Sequence, residues 1–352
     1  MKDVEDLQQK IISLCKRRGF VYPGSEIYGG LANTYDYGPL GSLMMRNIQN
    51  LWWENFITKR SDMYGLDTAI LMAPEVWIAS GHTANFNEVL VDCKNCKQRT
   101  GAEKLIQAFF EESGKTVIVE GKTPEELEKI ILENKIPCPE CGSINWTKPR
   151  KFNNLFETHI GIVPENQSLV YLRGELAQGM FVNFKNVLDS QRPKLPFGLA
   201  QVGKVFRNEI TKGNFIFRTL EFTLMEFEYF FNPNAQKWEE LFDYWKKEMK
   251  DWIVSLGISE NRLRWRTHTD EERAHYSKKT EDLDFEFAVG FKEMFGIAYR
   301  TDFDLKNHPH DFEAVRGNYP LRREFSSYFV SCKNANAQTI NILKNLGFQI
   351  KN

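Results

Sequence analysis

Two Cys-x-x-Cys pairs, Cys93-Lys94-Asn95-Cys96 and Cys138-Pro139-Glu140-Cys141, place the strongest constraint on how this chain folds. Each turn aims its two thiolates at one point, so two such turns complete a tetrahedral four-cysteine zinc site and must meet in space. The stretch between them is long for a bare ribbon. GAEKLIQAFFEESGK and TPEELEKIILENK read as two short helices, the second with Thr123 as N-cap and Glu126 closing a capping box. Zinc then staples a small inserted module, residues 91–150. The competing readings, two disulfides or a redox pair, suit a cytosolic chain with this spacing poorly. Four thiolates close the coordination shell, so the ion would be structural rather than catalytic. Cys15 and Cys332 stand apart from the pairs.

The chain as a whole has the composition of a soluble globular protein: 352 residues, 42% apolar and 13% aromatic, enough for two domains or for one large domain with an insertion. A formal net charge of −1 offers no broad basic field, so any nucleic-acid contact must come from local lysines and arginines. No apolar run reaches the roughly 18 to 20 residues that span a bilayer. The start, MKDVEDLQQK, is too charged for a secretory signal, which gives the cytoplasm as the expected address and no membrane as partner. There is no internal repeat. After Pro39, residues 40–59 carry Leu40, Leu43, Met44, Asn47, Leu51 and Trp52 at helical spacing, a stripe for the core or for a subunit interface. Residues 235–256 predict a second amphipathic helix, with Trp238, Leu241, Phe242, Trp245 and Met249 on one face. Between them, 169–173, 180–184, 200–209 and 215–231 read as strands.

Side chains alternate across a strand, so parity sorts the charged ones. Arg207 and Glu209 share a face of one run. Arg218, Phe222, Glu226 and Glu228 share a face of the next, backed by Phe217, Met225, Phe227 and Tyr229. Two arginines, carboxylates and one aromatic ring suit a ligand with a phosphate, a flat ring and an amine. A solvated strand face laced with ion pairs fits the same letters. The segment 171–186 adds Arg173 and Glu175 on one side of an extended run, and 293–308 adds Glu293, Arg300 and Asp302. Together the three segments predict one charged cleft on an antiparallel sheet.

These residues also carry a resemblance. GSEIYGGLANTYDYGPLG (24–41), LWWENF, GLDTAILMAPEVWIASGHTANF, VDCKNCK, QVGKVFRNEI and GIAYRTDFDL follow one another in the order found in glycyl-tRNA synthetase of the dimeric class II type, over about residues 5–308. The resemblance implies an α+β fold, a class II antiparallel sheet of about six strands flanked by helices, with residues 1–90 and 151–308 as a discontinuous catalytic core. It implies that glycine and ATP give glycyl-adenylate and that glycine then passes to the acceptor end of tRNA-Gly, with Mg2+ assisting. Arg207 would contact the α-phosphate and the glycine carboxylate. Glu209 would face adenine, Phe222 would stack on it, and Arg218 and Glu226 would complete the ATP site. Glu175 and Glu293 would surround the glycine ammonium, with Arg300 beside them, and His82 and Asn85 would lie near the tRNA acceptor end. A homodimer through residues 40–59 and the strand near ILMAP is implied as well.

Departures qualify that resemblance. The third class II motif, G-x-G-x-x-R, does not occur in these 352 residues, and the text after His308 does not resemble the family or its anticodon-binding domain. The family's R-P-E-T-A-Q reads Arg173-Gly174-Glu175-Leu176-Ala177-Gln178 here, and its R-T-R-E-F reads Arg218-Thr219-Leu220-Glu221-Phe222. Gly174 loosens the backbone of the pocket and Leu220 removes a charge. Three readings stay open: a glycine–tRNA ligase whose chain is incomplete or divergent, its site open to completion by another polypeptide; a synthetase-like accessory subunit without ligation; and a class II amino-acid- or nucleotide-activating enzyme with another acceptor. The divergent tail, 309–352, predicts a helix over part of 335–352 with Ile340, Leu343 and Leu346 on its apolar face.

Overall fold

The computed structural model describes residues 2–308, apart from 116, 118, 120, 121, 209–214, 271, 288 and 289. Glu209, Cys332 and the tail 309–352 therefore lie outside the described residues. The chain opens with α1 (Lys2–Arg17) and a hairpin of β1 (Val21–Pro23) and β2 (Tyr35–Tyr37). Next, α2 (Pro39–Trp53) runs through a π-helical turn, Glu54–Thr58, toward β3 (Met63–Gly65) and β4 (Leu71–Met72). Two short helices follow, α3 (Pro74–Ala79) and α4 (His82–Asn85). The insertion comprises β5 (Asn87–Asp92), β6 (Arg99–Gly101), α5 (Ala102–Glu112), α6 (Pro124–Glu133) and β7 (Arg150–Asn153). Beyond it come β8 (Phe156–Ile160), β9 (Ser168–Leu172), α7 (Ala177–Gln191), β10 (Phe197–Phe206), β11 (Glu221–Phe230) and α8 (Trp238–Ser255). The last elements are β12 (Leu263–Thr267), β13 (Lys279–Phe287), β14 (Gly290–Tyr299) and α9 (Phe303–Asn307).

Among the described residues the strands group into sheets of two or three rather than one of six. β10 pairs antiparallel with β11 from Phe197↔Phe230 to Phe206↔Glu221, and on its other side pairs parallel with β3. β12, β13 and β14 form a separate antiparallel meander. Among the described residues no ladder joins the two, because β11 and β14 each end a sheet and face a cavity of about 650 Å3 lined by consecutive residues of both strands, Thr223–Phe231 and Glu293–Thr301. The antiparallel pairs β4–β9–β8 and β6–β5–β7 complete the main sheets.

Parity along β11 is as expected. Met225, Phe227 and Tyr229 pack against Trp52, Phe56, Trp245 and Trp252, the core shared by α2, its π-turn and α8. Phe227 lies 5.7 Å from Phe56 and 4.6 Å from Trp245, ring centre to ring centre. The stripe on α2 divides: Trp52 is buried, whereas Leu40, Leu43, Met44 and Leu51 remain exposed.

Two segments depart from expectation. Residues 215–217, expected in the same strand as Phe222, form a 3-10 turn with Phe215 in the left-handed region (φ 50°), and β11 begins only at Glu221, so Phe217 and Arg218 lie outside it. Residues 180–184 are helical, not extended, because Ala177, Met180, Phe181, Phe184 and Val187 recur at helical spacing and all are buried in α7. Arg173 and Glu175 consequently sit in the turn between β9 and α7 rather than on a strand face. The local signals within 101–135 are met: α5 and α6 form, Thr123 and Glu126 make the reciprocal capping box, and a hydrophobic cluster gathers around Val91, Ile106, Leu127, Ile131 and Trp146.

Candidate active site

Seven charged residues from the three segments line the cavity between β11 and β14: Glu175, Arg207, Glu226, Glu228, Glu293, Arg300 and Asp304. They divide into two groups.

The first is centred on Arg207, just past β10. Its backbone N–H donates to the Leu220 carbonyl, 2.9 Å, and its Nε donates to the Gly174 carbonyl, 3.0 Å. The guanidinium carbon stands 5.4 Å from the ring centres of both Phe86 and Phe222, so two aromatic rings fix one cation. Glu293 belongs with this group. Burial pushes its carboxyl above the ordinary value, the charge of Asp282 adds to that, and Arg207 and His268 oppose it. Asp282 accepts from Arg266 and from His268 Nε2, each at 2.6 Å.

The second group surrounds Glu175. Its Oε1 accepts from Gln178 Nε2 at 2.9 Å and lies 3.9 Å from Arg300, while Oε2 meets His82 Nε2 at 3.1 Å. Burial alone would raise this carboxyl, but His82 and Arg300 hold it well below the usual carboxylate range. Arg300 is locked by a bidentate pair with Asp304, 2.8 and 2.9 Å, and lies 3.7 Å over the Tyr276 ring. Glu226 Oε2 accepts the backbone N–H groups of Leu176 and Ala177 at the start of α7, 2.9 and 3.1 Å. Burial first, and the charge of Glu175 second, push its carboxyl up to about 7. Burial drives Glu228 well above the ordinary value too. At neutral pH this pocket holds a fixed guanidinium, an ionised Glu175 and two carboxyls that give up protons reluctantly, a setting in which an ammonium group finds several acceptors.

The turn after β9 adds partners that were not expected. Glu226, on the Phe222 face of β11, also reaches Leu176 and Ala177 and feels the charges of Glu175, Arg300 and Arg207, and Glu293 feels those of Asp282 and Arg207. A strand argument could not foresee this, because the turn after β9 brings Leu176 and Ala177 against Glu226. Arg218 is exposed on the approach to β11 and does not line the cavity. His82 is 5% exposed with both ring nitrogens engaged, so it presents no surface to a tRNA; Asn85 is exposed and donates to the Gly81 carbonyl at 3.1 Å. Sequence reasoning passed over Gln178, Tyr276, His268, Asp282 and Asp304. Asp304 lies within the quoted GIAYRTDFDL, four residues from the arginine it pairs, and that spacing on a helical turn was the available signal.

In the insertion, the sulfurs of Cys93, Cys96, Cys138 and Cys141 lie within 4.8 Å of one another. The closest sulfurs belong to different pairs, Cys93 with Cys141 and Cys96 with Cys138, each 3.6 Å apart and too far for a disulfide. Such spacing fits thiolates around one metal ion, since four sulfurs at about 2.3 Å from a tetrahedral centre stand between 3.5 and 4 Å apart. The Ser143 N–H and then the Asn95 amide hold the Cys141 thiol down to about 6, whereas desolvation and the neighbouring sulfurs push that of Cys96 up to about 12, so the four thiols are not equally ready to ligate. Among the described residues no helix is long and apolar enough to cross a membrane.

Comparison with known proteins points to one group. Residues 157–315 match the tRNA synthetase class II core domain (G, H, P, S and T), a match that continues past the resemblance boundary at 308. The chain is 51% identical over 322 residues to the glycine–tRNA ligase of Caldanaerobacter subterraneus subsp. tengcongensis, covering 91% of this chain and 69% of that protein. It is 52% identical over 307 residues to that of Geobacillus thermodenitrificans, 87% of this chain and 65% of the relative. Against the Bacillus anthracis protein of the same name it is 49% identical over 300 residues, 85% and 65%. The chain therefore spans about two thirds of the length of these relatives.

Proposed function

The chain belongs to the glycine–tRNA ligase family, with a class II synthetase core of mixed helices and antiparallel sheets, and from that premise we propose that it activates glycine with ATP and charges tRNA-Gly. The observation that carries the reading is one cavity lined by both a cation for phosphate, Arg207, and an acidic pocket for an ammonium, Glu175 with Glu226 and Arg300. In the first step a carboxylate oxygen of glycine attacks the α-phosphorus of ATP, the bond to the β-phosphate oxygen breaks, and pyrophosphate leaves with its electron pair. In the second, a 3′-terminal hydroxyl of the tRNA attacks the carbonyl carbon and AMP departs. Neither step needs a strong acid or base; the protein contributes position and charge. Arg207, steadied by Phe86 and Gly174, would meet the α-phosphate and the glycine carboxylate, with Phe222 stacking on adenine and Glu209 facing its edge. Arg218, exposed ahead of β11, would approach the ATP from outside the cavity. Glu175 and Glu226 would receive the ammonium. Glu293 would act on the Arg207 side, and Mg2+ would share the phosphate charge when bound.

Three further features belong to this reading. Zinc on Cys93, Cys96, Cys138 and Cys141 would staple the insertion. A second copy of the chain would cover Leu40, Leu43, Met44 and Leu51 on α2, which solvent now reaches. A strand from another polypeptide would enter between β11 and β14, whose facing edges no ladder joins among the described residues. The reading as an accessory subunit draws on the residues altered around Glu175 and on Leu220, with Gly174 standing where the family has proline and Leu220 where it has arginine. Glycine-dependent exchange of pyrophosphate into ATP separates the two. Exchange about 100-fold or more above an Arg207→Ala variant is expected. Exchange no greater than that variant's, in folded and zinc-loaded protein, transfers the case to the accessory subunit.

A further inference from the structure

Glu175 is gripped from behind by a histidine that lies outside the cavity lining. His82 opens α4 with its ring edge-on to Trp77, 5.3 Å between ring centres, and to Phe86, 5.4 Å. Its Nδ1 lies 2.8 Å from Ser80 Oγ, and the Ser80 hydroxyl, fully buried, lies 3.3 Å from the Trp77 carbonyl. On the far side Nε2 meets Glu175 Oε2. The Ser80 hydroxyl serves the ring in either state: it donates to Nδ1 of a neutral imidazole, or accepts from Nδ1–H of a charged one while its own proton turns to the Trp77 carbonyl. Either way Nε2 carries a proton for Glu175.

The terminal torsion of a glutamate is soft, so a carboxylate held by one oxygen can still rotate. Here Gln178 and Arg300 act on Oε1 and His82 on Oε2, which fixes the carboxylate plane. We propose that His82 is a positioning residue for amino-acid binding: its Nε2–H sets the orientation of Glu175 so that the remaining acceptor positions face the substrate ammonium. This rests on the reading of Glu175 as a partner of glycine. A histidine that only filled space between Trp77 and Phe86 would need neither hydrogen bond.

The test compares His82→Leu, which keeps an apolar filling, with His82→Gln, whose amide can donate from near the position of Nε2. In pyrophosphate exchange, His82→Leu raises KM for glycine about tenfold or more, leaves KM for ATP unchanged, and His82→Gln recovers most of the loss. A second readout needs no turnover: in 13C-carboxyl NMR of the substrate-free chain, the titration of Glu175 moves to higher pH in His82→Leu and much less in His82→Gln. The other titratable groups that act on Glu175 are Arg300, Glu226, Glu228 and Tyr276, with Asp304 on the far side of Gln178, all retained in both variants. Should His82→Leu fail to fold, Ser80→Ala gives a smaller rise in the same KM. Equal changes in the KM for glycine and for ATP, or an unmoved Glu175 titration, overturn the proposal. A wild-type chain that does not activate glycine defeats the assigned function instead, while the NMR titration still judges the link from His82 to Glu175.

Discussion

Glu226 shows how strongly a residue's behaviour depends on its neighbours. Parity gave it the right face, but only the turn carrying Leu176 and Ala177 placed it beside Glu175, where burial and a like charge raise its carboxyl from 4.5 to about 7. A folded acid with a raised value binds its proton more tightly than the unfolded chain does. The stability it contributes is therefore complete below about pH 4.5 and is lost as pH rises toward 7. In urea unfolding, Glu226→Gln is expected to flatten the decline across that window; a slope identical to that of the wild type would refute the assignment. Much of the site was legible at this scale, because Arg207, Glu175 and Arg300 carry their chemistry in their letters. The surroundings of Glu226 were not, since they follow from the turn that passes over it. Gly174 also reads differently in space. A Cβ there would stand 3.0 Å from Leu155 and 3.4 Å from Phe86, so the glycine suits a crowded turn whose carbonyl holds Arg207.

Elements bounded by strong local signals emerged where expected. α6 begins at a capping box with proline at its first position, and those interactions lie within four consecutive residues. Thr123→Ala removes one of the two reciprocal bonds and is expected to cost about 1 kcal/mol, read as a lower unfolding midpoint of the insertion by circular dichroism. No change would mean that the packing of Leu127 and Ile131 alone sets the stability of the helix. α7 is the instructive miss. Its Phe and Val content suggests a strand, and its helical identity comes from the burial of Ala177, Met180, Phe181, Phe184 and Val187 along one side. Propensity yields there to tertiary packing, as it does wherever a continuous apolar face finds a partner.

At the scale of the whole molecule the insertion keeps a hydrophobic core distinct from the one shared by β10, β11, α2 and α8. With zinc at the four cysteines, a chelator is expected to expose the insertion to limited proteolysis while the rest of the fold stays resistant. Proteolysis unchanged by chelation, together with metal analysis showing no zinc, would rule the staple out. The sequence by itself determined the local and covalent matters: cysteine spacing, the cap at Thr123, the alternation along β11, the order of the family blocks and the charges available to a substrate. Only the tertiary structure decided which charges meet, that α7 is a helix, that His82 lies behind Glu175, and that β11 and β14 face each other across an open cavity. The reason is physical. Spacing and caps act over a few residues, whereas burial, shared hydrogen bonds and the shift of a buried carboxyl depend on groups that the fold alone brings within a few ångströms.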